Sequence, residues 1–196
     1  MPLAYSPRLG PGDFCVSDSN RAAIEWLQAP ARWPMPRTVL VGPEGSGKSH
    51  LAALFAARHN GRVIDSADTQ TDGEAMYPAW NAADADAPLL LTARQPPRAW
   101  AHGLPDLASR LGATPLVRIG DPDDALIAAV LCKRFVDLGL RVGPDVIAYL
   151  VSRIERSYPS LAEIVLQLDA LSLAERRDIT VPLARELLEG QLRLAF

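Results

Sequence analysis

Short apolar runs alternate with segments of helical character through the first 120 residues. Four apolar runs have the length of buried strands, at 38–41, 62–65, 89–92 and 115–119. Helical patterns lie between and before them, at 17–29, 50–58, 74–83 and 103–111. Pro78 is expected to kink or shorten the third of these helices. Strands that alternate with helices predict an α/β fold, with a parallel sheet of about four strands and right-handed crossovers.

The pattern changes at Gly120. From Asp121 onward the apolar residues recur at helical spacing, in segments that begin near 121 and then cover 144–156, 160–174 and 181–189. No further strand is predicted there. The sequence therefore predicts a sheet domain over 1–120, a small all-helical lid domain over 121–190 and a short tail over 191–196.

The turn after the first predicted strand matches the phosphate-loop pattern G-x-x-x-x-G-K-[ST], with Gly-Pro-Glu-Gly-Ser-Gly-Lys-Ser at 42–49. In such a loop the glycines turn backbone N–H groups toward a polyanion, Lys48 adds charge at the outer phosphates, and the Ser49 hydroxyl binds Mg²⁺. The alternative is an ordinary glycine-rich turn. The predicted nucleotide-binding residues are Pro43, Gly45, Ser46, Gly47, Lys48, Ser49 and His50.

The composition narrows the function classes. With 196 residues, of which 48% are hydrophobic, the chain is long enough to bury a core. A net charge of −3 disfavours a broad basic face for nucleic acid. Cys15 and Cys132 lack metal-ligand spacing and are expected to be buried thiols in a reducing compartment. Because neither a signal peptide nor a membrane span is evident, a cytoplasmic protein is expected.

Several segments, taken in order, resemble the DnaA family of AAA+ replication initiators. They are 13–20, 76–81, 90–97 and the start of the helical domain, and 103–111 is closer still to the Hda regulators of this family. The likeness covers about residues 12–190 and includes no counterpart of the initiator's DNA-binding domain. It implies an AAA+ core with a helical lid, bound ADP or ATP with Mg²⁺, and a regulatory role.

The resemblance implies a catalytic residue, Arg110. In this family the box that contains Ser109 and Arg110 carries the arginine finger, which is donated across a subunit interface to the γ-phosphate of the neighbour's ATP. A planar, permanently charged guanidinium suits the charge that develops on a transferred phosphoryl group. On its chemistry alone, Arg110 would be an exposed helix charge or an i, i+4 partner of Asp106.

The acidic residues that relatives use for Mg²⁺ are reduced here. Relatives have an apolar strand that ends in paired acids, and the counterpart is Val63-Ile64-Asp65-Ser66, in which serine replaces the second acid. The short spacing from Lys48 to Asp65 implies that one strand–helix unit is missing. Alternatively, 63–65 is the strand that normally follows the phosphate-loop helix, and the acidic strand is absent. Both interpretations imply weak hydrolysis by this chain itself.

Two further positions depart from the family. Pro159 stands where relatives place a lid arginine over the nucleotide, and Arg153 and Arg156 are candidate substitutes. Arg94 stands where relatives have an acidic residue after the third strand. The sensor functions of both positions are therefore in doubt.

The last six residues, Gln-Leu-Arg-Leu-Ala-Phe at 191–196, resemble the peptide by which bacterial proteins dock on the replication sliding clamp. As an extended strand, this peptide would place Leu192, Leu194 and Phe196 in an apolar groove, with Gln191 hydrogen-bonded at its edge. Hda proteins usually carry the peptide at the N-terminus. A frayed helix end, or a strand packed on the chain itself, is the alternative.

Together these features predict a nucleotide-bound regulator that docks on the DNA-loaded clamp and presents Arg110 to the initiator DnaA, so promoting its ATP hydrolysis. Two other functions stay open. One is a self-sufficient AAA+ ATPase, such as a helicase loader or a small P-loop kinase, and the other is a clamp- or initiator-binding module without catalytic effect. A homodimer also stays open, whereas neither a membrane partner nor a DNA-binding domain is expected.

Overall fold

The computed structural model describes residues 14–69, 76–100 and 105–194, without the side chains of residues 105–106 and 191–194. The chain divides into two compact units, Met1–Gly120 and Asp121–Phe196. The first unit contains a four-stranded parallel sheet. Its strands are β1 (Arg37–Val41), β2 (Arg62–Ile64), β3 (Leu89–Ala93) and β4 (Leu116–Arg118). The predicted α/β fold with a shortened sheet is confirmed.

The strands are ordered β2-β3-β1-β4 across the sheet. Val41 at the end of β1 is in register with Ala93 at the end of β3, and Ile64 at the end of β2 is in register with Leu91. The carboxyl ends of these three strands therefore lie at one edge of the sheet. The phosphate loop follows β1 and Asp65 follows β2, so both are positioned at this edge.

Helices cover the sheet on both faces. They are α1 (Arg21–Gln28), α2 (Lys48–His59), α3 (Met76–Asn81) and α4 (Pro105–Gly112), together with single 3₁₀ turns at Pro30–Arg32, Ala67–Thr69 and Pro97–Ala99. All five residues of β3 are buried, as expected for a strand between two layers. The helix around Pro78 is only six residues long and ends two residues before the predicted boundary at 83.

One arginine holds α3 against the sheet. The guanidinium of Arg37, at the start of β1, donates hydrogen bonds to the carbonyl oxygens of Trp80 and Ala83. It also lies over the Trp80 ring, with Cζ 5.1 Å from the centroid. A cation that satisfies carbonyls at a helix C-terminus stabilises that end of the helix.

The described residues of the second unit form helices and their connections, with no strand. Its helices are α5 (Asp124–Asp137), α6 (Pro144–Val151), α7 (Tyr158–Glu175) and α8 (Val181–Leu194). Side chains cap two of them: Asp123 accepts a hydrogen bond from the Leu126 N–H at 2.8 Å, and Ser157 accepts one from the Ser160 N–H at 3.3 Å. The helices share one apolar core, in which Leu131, Phe135 and Leu168 are fully buried.

In the second unit, two helix ends differ from the prediction by several residues. α6 ends at Val151 rather than at 156, because Ser157 adopts an extended backbone to cap α7 and the chain must turn before it. α8 runs through Gly190 to Leu194, so the backbone of 191–194 is helical and not extended. A single glycine costs a helix only about 1 kcal/mol, and no proline stops this one.

The prediction that both cysteines are buried is wrong. Cys132, on α5, is exposed, whereas Cys15 is half-buried. A helical pattern alone did not fix which way position 132 faces.

Among the described residues, no helix combines the length and apolar character that crossing a bilayer requires.

Candidate nucleotide site

The phosphate loop has a backbone that only glycine adopts without strain. Gly45 and Gly47 have φ angles of 75° and 85°, in the left-handed region. α2 begins directly after Gly47, which has no side chain to cap the helix. The first N–H groups of α2 are therefore available to an anion, in the arrangement that binds phosphate at helix N-termini.

The loop is also tightly packed. A Cβ atom added at Gly47 would lie 2.7 Å from Phe14 Cε2, and one at Gly42 would lie 3.0 Å from both Ile119 Cβ and Ser46 Oγ. The Phe14 ring also contacts His50, with ring centroids 5.8 Å apart. The backbone around the loop is thus fixed by neighbours that leave no room for a side chain.

Lys48 lies with its ammonium against the loop. Its Nζ donates hydrogen bonds to the carbonyl oxygens of Gly42 at 2.9 Å and Pro43 at 2.7 Å. Burial lowers the pKa of Lys48 below its usual value, while the nearby carboxylates, Asp68 first among them, act in the opposite direction. The site therefore holds a partly desolvated ammonium, whose charged form a phosphate would stabilise.

A chain of hydrogen bonds joins Ser49 to the end of β3. Ser49 Oγ donates to Asp65 Oδ2 at 2.8 Å, and Thr92 Oγ1 donates to Asp65 Oδ1 at 2.5 Å. The Ser66 N–H in turn donates to Thr92 Oγ1 at 2.8 Å. Thr92 is fully buried, so it orients the carboxylate from inside the sheet. Sequence reasoning missed Thr92, although a hydroxyl in an otherwise apolar strand was a signal.

The Ser49 hydroxyl and the Asp65 carboxylate fit a magnesium ion that is shared with phosphates. Mg²⁺ prefers oxygen ligands and usually combines one or two carboxylates with phosphate oxygens and water. Within the described residues, no group of three or more His, Cys, Asp or Glu side chains could hold a metal ion. A metal at this position would therefore take its other oxygen ligands from water or from a bound phosphate.

Asp68 and Arg94 are brought to the same edge. Asp68 Oδ2 accepts a hydrogen bond from the Arg94 N–H at 2.9 Å. The Arg94 guanidinium pairs with Glu44, in the phosphate loop, at 3.2 Å. Sequence reasoning assigned Asp68 to a polar loop, because the pattern of that segment does not show where the loop returns to the sheet.

Unpaired polar atoms are concentrated at this site. In the described part of the chain, four buried side-chain atoms have no hydrogen-bond partner, and three of them are Ser46 Oγ, His50 Nε2 and Asp68 Oδ1. Buried polar atoms in native proteins are normally paired, so such a group requires an explanation. A phosphate ester with its bound water supplies both donors and acceptors. The residues present therefore fit a nucleotide.

Arg110 lies on the outer side of α4. Arg110 is exposed, whereas Leu107 and Leu111 on the same helix are buried. The Arg110 carbonyl oxygen accepts a hydrogen bond from Thr114 Oγ1 at 2.9 Å, which ties the end of α4 to the next turn. The side chain of Asp106, the predicted i, i+4 partner, lies outside the described residues. Arg110 is thus presented to solvent, where a partner could contact it.

The candidate substitutes for the lid arginine contact residues of the lid itself. The Arg153 guanidinium lies 4.2 Å from the centroid of the Tyr149 ring. Arg156 pairs with Asp124 at 2.8 Å. Pro159 occupies the first turn of α7, where proline is well tolerated. The four predicted clamp-binding residues, 191, 192, 194 and 196, have no described side chain.

Comparison with known proteins gives the same architecture. Residues 123–188 match the Hda lid domain family. Domain III of the replication initiator DnaA from Thermotoga maritima aligns with a TM-score of 0.74 and 14% identity, over 97% of this chain and 98% of that one. DnaA from Aquifex aeolicus, with AMPPCP bound, aligns with a TM-score of 0.62 and 18% identity, over 86% and 69%.

A functionally different protein shares the fold. The Holliday junction branch migration motor RuvB from Thermotoga maritima aligns with a TM-score of 0.67 and 11% identity, over 94% of this chain and 72% of that one. At such identities the structural matches establish an AAA+ fold and leave the task open. The family match over residues 123–188 shows which type of helical lid this chain resembles.

Proposed function

We propose that this chain, whose residues 123–188 match the Hda lid domain family and whose fold aligns with domain III of DnaA, binds ADP or ATP with Mg²⁺ and stimulates ATP hydrolysis by a DnaA initiator. The observation that carries nucleotide binding is the phosphate loop, in which left-handed glycines flank Ser46 and Lys48 lies against the loop carbonyls. A DnaA protein of similar fold binds AMPPCP, which supports an adenine nucleotide here.

The nucleotide phosphates would be held by the loop residues Pro43, Gly45, Ser46, Gly47, Lys48, Ser49 and His50. Mg²⁺ would be held by Ser49 and Asp65, and it would neutralise phosphate charge when bound. The hydrogen bonds of Asp65 to Ser49 and Thr92 support the interpretation of Asp65 as the remaining member of the paired acids that relatives use for Mg²⁺, called the Walker B acids. Under that interpretation, the shortened sheet lacks a strand–helix unit elsewhere.

Arg110 would promote ATP hydrolysis by the partner, the DnaA initiator. We assign it the role of arginine finger, because it is exposed on α4 within the box that resembles the Hda regulators. In GTPases a guanidinium supplied by a partner accelerates hydrolysis by about 10³–10⁵-fold. This assignment makes the chain an activator of another protein's ATPase, with weak hydrolysis of its own.

Docking on the sliding clamp would use the tail residues Gln191, Leu192, Leu194 and Phe196. Since the backbone of 191–194 is helical, binding as an extended peptide requires the last turn of α8 to unwind. Terminal turns open at little free-energy cost, so this requirement is compatible with docking. The clamp would then hold the regulator close to initiator molecules on DNA.

The test is ATP hydrolysis by the initiator, measured with DNA-loaded clamp and with or without this protein. The wild-type chain should accelerate hydrolysis, and Arg110→Ala should bind nucleotide and clamp normally while losing at least about 100-fold of the stimulation. Arg32→Ala, at an exposed arginine of the turn Pro30–Arg32, is the matched control and should stimulate normally.

Other outcomes of this assay distinguish the competing functions. Full stimulation by Arg110→Ala would contradict the arginine-finger role. Binding to clamp or initiator without stimulation by the wild-type chain would indicate a binding module. Rapid ATP hydrolysis by this chain alone, without the initiator, would indicate a self-sufficient ATPase.

A further inference from the structure

The position after Asp65 does not supply an acid. Ser66 is exposed, its φ is 54°, and its N–H is bonded to Thr92. This left-handed residue turns the chain into the 3₁₀ turn Ala67–Thr69, in which Ala67 is fully buried. The turn carries the next acidic residue, Asp68, back to the edge of the sheet.

The end of β3 anchors both carboxylates. Asp65 is held by the Thr92 hydroxyl, and Asp68 is held by the Arg94 N–H at 2.9 Å. Thr92 lies in β3, and Arg94 directly follows the last residue of that strand, Ala93. The two carboxylates are therefore neighbours at the edge where the phosphate loop lies.

The two carboxylate oxygens of Asp68 differ in their hydrogen bonding. Oδ2 accepts the Arg94 hydrogen bond, while Oδ1 is buried and has no partner among the described residues. Leaving a buried acceptor unpaired is unfavourable, so such an atom indicates a missing donor. The Arg94 residue that donates this hydrogen bond also pairs with Glu44 of the phosphate loop at 3.2 Å, so Asp68 lies at the same edge of the sheet as the loop.

We propose that Asp68 supplies the second carboxylate of the nucleotide site in place of Ser66, and that it serves slow hydrolysis of the chain's own ATP. This inference rests on the proposed nucleotide binding. The oxygen of a water molecule bonds to the γ-phosphorus while the bond from that phosphorus to the β–γ bridging oxygen breaks. The bridging oxygen keeps the electron pair and leaves with ADP, and Asp68 Oδ1 takes the proton released by the water.

The experiment compares Asp68→Asn with the wild-type chain and with Asp86→Asn, a control at an exposed aspartate. Single-turnover ATP hydrolysis, ATP affinity by calorimetry and the Tm of the nucleotide-free chain are measured for each. Asparagine keeps an oxygen for the Arg94 N–H but is a poor base. Asp68→Asn should therefore slow hydrolysis by about 100-fold or more, with ATP affinity unchanged or tighter and Tm not lowered. Asp86→Asn should match the wild type.

The outcomes separate this inference from the proposed function. Wild-type hydrolysis by Asp68→Asn, or no hydrolysis by a wild-type chain that binds ATP, would overturn the role of Asp68 and leave nucleotide binding intact. A lower Tm or weaker ATP affinity in Asp68→Asn would assign Asp68 a structural role instead. A wild-type chain that binds no adenine nucleotide would overturn the proposed function itself.

Discussion

Ser49 and Asp65 are joined by a hydrogen bond of 2.8 Å between the first turn of α2 and the end of β2. The bond is exposed, so water competes with it and its own contribution to stability is small. Its importance lies in placement, because it brings two oxygen atoms suited to Mg²⁺ beside the phosphate loop. The orientation of Asp65 depends in turn on Thr92.

Replacing Thr92 with valine should weaken magnesium binding. The substitution keeps the shape of the side chain but removes the hydroxyl that donates to Asp65 Oδ1. Loss of a group that orients a metal ligand typically weakens metal affinity by about 10–100-fold. Calorimetric titration of ATP with Mg²⁺ should show this loss, and titration in EDTA, the internal control, should show none. An equal loss in both conditions would contradict the role.

Lys48→Ala should abolish most nucleotide affinity. A charge-assisted contact contributes about 1.5–3 kcal/mol, which corresponds to roughly 10–150-fold in Kd. The control is Lys133→Ala, because Lys133 is the only other lysine and pairs with Asp137 at 3.3 Å in the lid. Fluorescent-nucleotide titration measures both variants. Equal affinities for Lys48→Ala and wild type would show that the loop binds no phosphate.

Nucleotide binding should take up a proton at alkaline pH. Burial lowers the pKa of Lys48 from its usual 10.5 in the free protein, and bound phosphate favours the ammonium and raises that pKa again. Above the lowered pKa, binding must protonate Lys48, so ATP affinity falls as pH rises. Below it, Lys48 contributes no pH dependence.

The same shift acts on folding. Between the lowered pKa and 10.5 the unfolded chain binds more protons at Lys48, so the nucleotide-free protein gains stability as pH rises in that window. Proton uptake on nucleotide binding is measured separately. Calorimetric titration of the wild type with nucleotide, in alkaline buffers of different ionisation enthalpy, should detect it. The signal should be absent from Lys48→Ala, and its presence there would assign the proton to another group.

The tail should contribute to clamp binding without contributing to folding. Replacing Leu192 and Phe196 together with alanine removes two apolar side chains, each worth about 1.5–3 kcal/mol when fully buried. Surface-immobilised clamp should therefore bind the double variant at least about 10-fold more weakly. Arg193→Ala, at an intervening position, is the control and should bind nearly as the wild type does. Unchanged binding by the double variant would exclude this docking mode.

A buried hydroxyl should be worth more in stability than its size suggests. Thr38 Oγ1 accepts from Trp26 Nε1 at 2.9 Å and donates to the Pro115 carbonyl at 3.0 Å. Thr38→Val leaves both partners without this hydrogen bond. It should lower the free energy of unfolding, measured by urea denaturation, by about 1–3 kcal/mol. Trp26→Phe combined with Thr38→Val should cost less than the sum of the single changes. Strict additivity would show that the two side chains do not interact.

The local elements were predictable from the sequence because their signals are local. The phosphate loop is a contiguous motif, and each strand of the sheet coincides with an apolar run. The helical lid follows from residues spaced for one buried face, and this part of the chain also matches the Hda lid domain family. Pattern and structure agree wherever neighbouring residues decide the conformation.

The completed site was not predictable, since it depends on contacts between distant segments. Asp68 reaches the sheet only because Ser66 takes a left-handed backbone and Arg94 offers its N–H. Thr92 acquires its role from Asp65, which follows a different strand. The exposure of Cys132 was not predicted for the same reason, because helix packing and not periodicity determines which way this side chain faces.

The Phe14 ring occupies the space beside Gly47 that any side chain there would need. The segment that leads into α1 thus packs against the phosphate loop. Any side chain at position 47 would have to displace this ring, so a residue ahead of α1 helps to restrict that position of the loop to glycine.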